Sequence, residues 1–381
     1  VSLLSNKRLI AAKIESTYGT DPVPTGTNAM LLKNLDVQPI QAELVDRDLI
    51  RPYLGISQAL LAAVAVQLSF EIEYAAGGVI GKAPAYDSLL RACGFAPTIS
   101  TTSITAAIAS SVVTVTKVTH GLLTGDKVIP SGFTDAAANI PAGVTITVTD
   151  ANTFTYPAAG AVDDATADGT PVYATQIEYK PISTGFQSCS IYFNVDGVLH
   201  KITGARGSVE MSLSVKGIPT FKFSLTGLYS EPTDTPALTP DFSGFTVPKL
   251  ASTQNTPSFS LAGYSALLES CSLNLSNQIE HVILIGSEEV KILNRSPQGS
   301  LVFEAPTIAE KDYWDLIIAN TATTLALNHG ATNGHKVNLS CPNISLGNPT
   351  YQDSNGVQML SVPFRCEPTT SGNDEISFIF K

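Results

Sequence analysis

The sequence predicts a mainly β protein made of two tandem copies of one β unit, each with a single short helix, and a smaller β domain inserted in the first copy. Three observations lead there. Charged residues make up only 14% of the 381-residue chain, well under the usual quarter, and sparse charge with many β-branched residues favours sheet. Strict apolar–polar alternation recurs along the chain, the period of a strand with one buried and one wet face. The order strand, breaker, short helix is written twice, at residues 67–92 and 298–319.

Residues 1–28 open with an amphipathic start (Leu3, Leu4, Leu9, Ile10 and Ile14) and run into the turn-forming YGTDPVPTGTNA. That predicts an arm lying on another surface. Strands are expected at 31–40 and 42–50. The next dozen residues, RPYLGISQALLAA, exceed what a hairpin needs. Their Leu and Ala content argues against disorder, and an apolar loop tip points to contact with another subunit.

From Val64 the alternation is strict: Val64, Val66, Leu68, Phe70, Ile72 and Tyr74 share one face, Gln67, Ser69, Glu71 and Glu73 the other. A glycine-rich turn at 77–81 follows. Pro84 then suits the first position of a helix whose stripe is Tyr86, Leu89, Leu90 and Cys93, stopped by Gly94.

Residues 98–175 have a different texture, rich in Thr, Ala, Val, Asp and Gly, with two lysines and no Arg or Glu. Alternation at 112–118 and 144–149, with the turns HGLLTGDKV and DANTFTY, predicts a separate β domain set in a surface loop, where insertions are tolerated. The first copy resumes at Ile177, with strands at 187–195, 209–215 and 221–225. A Pro-rich linker, SEPTDTPALTPDFSGF, leads to the second copy.

There the expected strands are 267–275 and 282–285, with SEEVKILNRS as the loop before the repeated block. Leu301, Phe303 and Ala305 alternate with Ser300, Val302 and Glu304. Pro306 breaks the strand, and Tyr313, Trp314, Leu316 and Ile317 form the second helical stripe. Strands come next at 359–364 and in the tail, 375–381. Flanking landmarks repeat in the same order: LIRPYLG and ILNRSPQG upstream, LHKITGARGSVEMSL and LNHGATNGHKVNLSC downstream, then Glu231-Pro232 and Glu367-Pro368. Matched order with little identity is the mark of a duplication. It divides the chain into a first unit (1–97 and 176–232), the insert (98–175), a linker (233–240) and a second unit (241–381).

No constellation for catalysis emerges. The histidines, at 120, 200, 281, 329 and 335, read as turn and edge residues, without zinc-ligand or helical i, i+4 spacing. Glu71 and Glu73 lie on one wet face without a nucleophile or base beside them. Nucleophile-elbow, Walker and dinucleotide glycine motifs are all missing. No cofactor or metal is expected, and Trp314 with Tyr313 reads as core. The net charge of −11 argues against a nucleic-acid grip. Cys93, Cys189, Cys271, Cys341 and Cys366 are odd in number and unpaired in spacing, which predicts small buried hydrophobes in a chain made in a reducing compartment. Lacking a signal-peptide pattern or a membrane-length apolar run, it is expected to be a soluble cytosolic product.

The segments AAKIESTYGTDPVPTGTNAMLL, VQLSFEIEYA with PAYDSLLRACGF, IYFNVDGVLHKITGARGSVEMSLSVKGIPTFKFSLTGLY and SGNDEISFIFK resemble the major tail tube proteins of long-tailed, non-contractile (siphovirus-type) bacteriophages. The resemblance implies β-sandwich or barrel domains with a flanking helix, their sheets joined round a ring, and a long loop reaching the next ring. The insert is similar to small Ig-like modules on phage virion proteins and would decorate the outside. Many relatives carry one tube domain per chain in hexameric rings, so a duplicated chain implies rings of three with pseudo-sixfold symmetry.

The same resemblance implies a self-assembling virion protein, made and assembled in the host bacterial cytoplasm, whose stacked rings conduct DNA into the host. Its partners would be itself, the tail tip or baseplate, the tape measure and tail terminator proteins, and DNA in transit without sequence-specific binding; a membrane is not among them. Glu71, Glu73, Glu210 and Glu304 are then candidate lumen-lining residues, able to repel the DNA backbone. Candidate ring-stacking residues are Asp46, Arg47, Asp48, Arg51, Leu54, Leu60 and Leu61 in one loop, and Glu280, His281, Glu288, Glu289, Lys291 and Arg295 in the other. Two other readings stand beside this one. An adhesin would use the Ig-like insert for recognition, and a wall-degrading enzyme would need a carboxylate or nucleophile constellation that the sequence does not offer.

Overall fold

In the computed structural model, which describes residues 3–381, the chain is mainly β with two short helices. The first half contributes β1 (Arg8–Ile14), β2 (Lys33–Val45), β3 (Leu60–Glu73), α1 (Asp87–Ala92) and β4 (Phe95–Ser103). Between β4 and the next long strand run the smaller strands β5 (Thr105–Ala109), β6 (Val112–Thr116), β7 (Lys127–Val128), β8 (Pro130–Phe133), β9 (Val144–Thr145), β10 (Thr147–Asp150) and β11 (Thr153–Pro157). The first half resumes with β12 (Gly169–Pro181), β13 (Cys189–Val195), β14 (Val198–Ser214), β15 (Thr220–Tyr229) and β16 (Thr233–Asp234). The second half holds β17 (Ser258–Leu261), β18 (Leu268–Asn274), β19 (Asn277–Leu284), β20 (Ser287–Arg295), β21 (Gln298–Glu304) and α2 (Tyr313–Ile318). It ends with β22 (Thr323–His329), β23 (Val337–Leu346), β24 (Thr350–Ser354), β25 (Val357–Cys366) and β26 (Ser377–Phe380).

Strand pairing repeats between the halves. One sheet of the first half runs β2–β3–β15–β14; the second half runs β18–β21–β25–β24. In the same way β1 pairs with β13 and β13 with β14, as β17 pairs with β22 and β22 with β23. The halves then join edge to edge. β14 pairs antiparallel with β18, Met211 opposite Leu273 and Leu213 opposite Cys271, making one continuous sheet that is not closed into a barrel. The last strand, β26, is shared: Phe378 and Phe380 face Tyr179 and Ile177 of β12 on one side, and Leu339 and Val337 of β23 on the other.

Alternation decides what is buried. Phe70, Ile72, Phe221, Phe223, Met211, Leu273, Leu301 and Phe303 point into one core that spans both halves. Leu89 and Leu90 of α1 and Tyr313 of α2 close over it. Phe221 is the hub of its aromatic part, edge-on to Phe378 at 5.1 Å and 4.7 Å from the Tyr74 ring; such tilted geometries suit the ring quadrupoles. All five cysteines are buried and free.

Several local expectations change. The strands expected at 31–40 and 42–50 are one strand, β2, whose register with β3 shifts at bulges; Pro39 is accommodated because β2 is paired on one side only. The loop expected at 51–63 begins earlier and ends at Leu60, where β3 starts, so 46–59 is the tip of a long hairpin. SEEVKILNRS is not a loop but strand β20, hairpinned to β19. Pro84 does not start α1. It lies in the preceding turn, where its carbonyl accepts the Asp87 N–H, while the Tyr86 hydroxyl donates to the Ala75 carbonyl at 2.7 Å. Gly94 ends the helix region at φ +84°, a conformation that disfavours a side chain.

The insert hangs on a two-stranded ribbon rather than a loop. β4 and β12 pair from Phe95 with Pro181 outward to Ser103 with Val172, carrying first-half strands into the insert. Its own core includes Val113, Val115, Phe154 and Tyr156, and receives Ile80 from the turn before α1. The N-terminal arm lies on this chain itself: β1 pairs with β13, and buried Glu15 accepts from the hydroxyls of Ser188 and Ser190, each at 2.6 Å, and from the Gly204 N–H at 2.7 Å.

Candidate functional site

The wet face of the continuous sheet crosses both halves. One row runs Lys33, Glu71, Lys222, Glu210, Asn274, Gln298 and Arg365 from β2 to β25. The next runs Glu73, Thr220, Ser212, Ser272, Ser300 and Pro363. Three of the sequence-derived carboxylates, Glu71, Glu73 and Glu210, are therefore brought close together in the first half, half-buried in their strands. Glu304 is exposed at the far end of β21, opposite Met359. Asp36 adds a fifth carboxylate to this face, opposite Ser69. Lys222 sits between Glu71 and Glu210, and Lys33 and Arg365 mark the flanks. Sequence reasoning missed Lys33, Asp36 and Arg365, because which residues share a row depends on strand register.

The two segments expected to reach another subunit are both hairpins, with different surroundings. In β2–β3 the distal strands and tip stand free. Asp46, Arg47, Asp48, Arg51, Leu54, Leu60 and Leu61 are exposed, together with Leu44, Ile50, Tyr53 and Ile56. Among the described residues of the tip, the Arg51 guanidinium lies 5.8 Å from the Tyr53 ring.

The β19–β20 hairpin instead folds across β14 and β15 of the first half. Val290 is fully buried, and its N–H donates to the Tyr18 hydroxyl at 2.6 Å. Asn277 Nδ2 donates to the carbonyls of Cys93 and Gly207 at 2.7 and 2.8 Å. Within the hairpin Glu280 faces Lys291, His281 Nε2 lies 2.9 Å from Glu288, and Lys291 3.7 Å from Glu289. Glu289 pairs with Arg206, and Arg295 with Glu375 and the Ile182 carbonyl, so both are engaged inside the chain. The tip, Ile283–Leu284–Ile285, is exposed and apolar, as is Leu293 on β20.

Arg206 is the residue that organises this contact. Its guanidinium donates to the Phe186 and Val290 carbonyls at 2.9 and 2.7 Å and lies 4.7 Å from the Tyr18 ring. In the sequence it is one arginine in the run TGARG, with nothing to say that it is buried.

No group of three or more His, Cys, Asp or Glu side chains suited to a metal occurs among the described residues. His120 is a turn residue, accepting the Leu122 N–H at Nδ1. His329 departs from the turn-and-edge expectation. It is a buried strand residue held between the Thr256 hydroxyl at 3.0 Å and the Lys249 carbonyl at 3.1 Å. Burial lowers its pKa, with the Lys249 hydrogen bond opposing. Trp314 is half-buried against the core, 5.7 Å from the exposed Tyr351 ring. Burial pushes the Cys93 thiol well up, and the hydrogen bond to Cys366 does the same for Cys341, the reverse of what a nucleophile needs. No helix among the described residues is long and apolar enough to cross a membrane.

Comparison with known families adds one match: a family described as phage tail tube protein matches residues 5–366. No curated protein matches the chain.

Proposed function

The chain belongs to the phage tail tube protein family, a structural component of the phage tail, and on that premise we propose that it polymerises into stacked rings forming the conduit through which DNA leaves the particle. The observation that carries this reading is a pair of free edges on one sheet. Among the described residues β2 is paired only with β3, and β24 only with β25. Unpaired strand edges invite another strand, and head-to-tail joining of two unlike edges makes a ring when the rotation between copies closes.

In this reading the chain is non-enzymatic. It divides into two tube domains (1–97 with 176–232, and 241–381), a linker at 233–240, and an insert at 98–175 displayed on the outside. Three chains make a pseudo-hexameric ring. Glu71, Glu73, Glu210 and Glu304 line the lumen, where a net negative wall repels DNA phosphates and keeps the strand mobile. Residues 46–61 and the tip of the 280–295 hairpin contact the next ring. The assembled tube meets the tail tip or baseplate, the tape measure and the terminator, and assembly takes place in the host cytoplasm.

Negative-stain microscopy of the purified protein at high concentration tests the reading, with native mass measurement of released rings. Hollow tubes built of three-chain rings are expected. Dispersed single chains at every concentration would defeat the tube reading, and six-chain rings would defeat the trimer.

A further inference from the structure

The junction between the halves is a template for contact between chains, because each half carries the same strands and only one of the two equivalent contacts is made internally. At the made contact β14 meets β18 with Ser212 opposite Ser272 and Met211 opposite Leu273. Ser69 and Glu73 on β3 have the spacing of Ser300 and Glu304 on β21, in the strand that precedes each helix. Glu73 faces Thr220, which faces Ser212; Glu304 faces Met359, which faces Gln352 on β24. Ser300 faces Ser272, and Ser69 faces Asp36 on β2. Gln352 thus stands where Ser212 stands, and Asp36 where Ser272 stands. Both are exposed on edges with no strand partner among the described residues.

The hairpins obey the same logic. β19–β20 lies over the first half where Arg206 faces Thr226, behind the end of α1 at Cys93. The corresponding ground on the second half, where Ser345 faces Arg365 near Asn320 behind α2, is an open groove of about 790 Å³. The hairpin equivalent to β19–β20 is the distal part of β2–β3. Gln38 and Gln41 there are spaced as Asn274 and Asn277, and its Leu44 and Val45 are exposed.

We propose that the occupant of this surface is a second copy of the chain, docked as the halves dock. β24 of one chain pairs antiparallel with β2 of the next, with Gln352 opposite Asp36 and Tyr351 opposite Val37. Residues 38–45 of the next chain's β2–β3 hairpin cross the groove at Ser345, Arg365 and Asn320. The proposal rests on the ring reading and fixes its interface, edge by edge and residue by residue. Antiparallel pairing continues the hydrogen-bond ladder, and a one-residue slip would turn the core face of β2 outward, so the register is strongly specified.

The test is oxidative cross-linking of the full chain. The five native cysteines are buried, which keeps the background low. Ser212→Cys with Ser272→Cys forms the internal bridge and calibrates the geometry. Asp36→Cys with Gln352→Cys, present in every chain, is expected to give covalent multimers in place of monomer. Gln38→Cys with Gln352→Cys, displaced along the strand, stays monomeric. Tubes without the Asp36–Gln352 link, or with the displaced link instead, overturn the register while leaving the tube reading intact. Cross-linked rings that never stack would leave the edge pairing standing and remove the tube.

Discussion

The Arg206 guanidinium and the Glu289 carboxylate meet at 2.8 Å although 83 residues separate them along the chain. Only 8% of the arginine side chain is exposed, against 30% of the glutamate. The arginine also donates to three backbone carbonyls, those of Phe186, Gln187 and Val290, and stacks near Tyr18. One side chain therefore ties together the N-terminal arm, the first half and the hairpin of the second.

Arg206→Met is expected to destabilise the protein by about 3 kcal/mol, the scale for breaking a buried ion pair and leaving carbonyls unsatisfied. Arg206→Lys recovers only part, because an ammonium cannot make the forked contacts. Denaturant unfolding checks both; a loss well under about 1 kcal/mol, the scale of a single hydrogen bond, would show that Arg206 does not hold the junction.

Stability should fall as the solution is acidified below neutrality. Burial lowers the pKa of His329 in the folded chain, so the unfolded chain, titrating near about 6.5, binds the proton first. Its contribution is complete above that value and is lost as pH falls through the lower folded value. His200 and His335 shift the same way, through burial. The thermal midpoint is expected to drop between pH 7 and 5, less steeply in His329→Gln. Equal slopes for variant and parent would rule out His329 as a source.

Reversing the face carboxylates to lysine at positions 71, 73, 210 and 304 should impair DNA passage without altering tube length. Infectivity of phage carrying the variant and tail length by microscopy are the measurements. Unchanged infectivity would take these residues off the lumen wall. Asp36 on the same face is expected to add to the effect.

Replacing residues 47–58 by a two-residue turn keeps the β2–β3 ladder, in which Val45 already faces Leu60. The tip presents Ile50, Leu54 and Ile56 fully to solvent, and such apolar exposure marks a contact surface. Rings that form but do not stack are expected; normal tubes from this variant would refute the assignment of the tip.

Strand identity was legible wherever one face is wet. Residues 64–74 and 300–305 announced which side chains face the core, and the tail announced its own strand. The hairpins were legible only in part: strands were expected at 42–50 and 282–285, but β20 reads as a loop because its apolar residues do not alternate and only Val290 of it is fully buried. The insert's ribbon is hidden because β4 and β12 are separated by the whole insert. Arg206 is hidden because a buried arginine is specified by its partners, none of which is near it in sequence.

By itself, then, the sequence determined the class of fold, the repeated order of elements and the inward faces, since each of these is written in local periodicity and residue type. Only the tertiary structure decided which strands are neighbours, which edges stay open, which charges share a row on the wet face, and which of two equivalent hairpins is covered. Those are outcomes of register and of contacts between residues far apart in the chain, and local patterning sets which way a side chain points without choosing what stands opposite it.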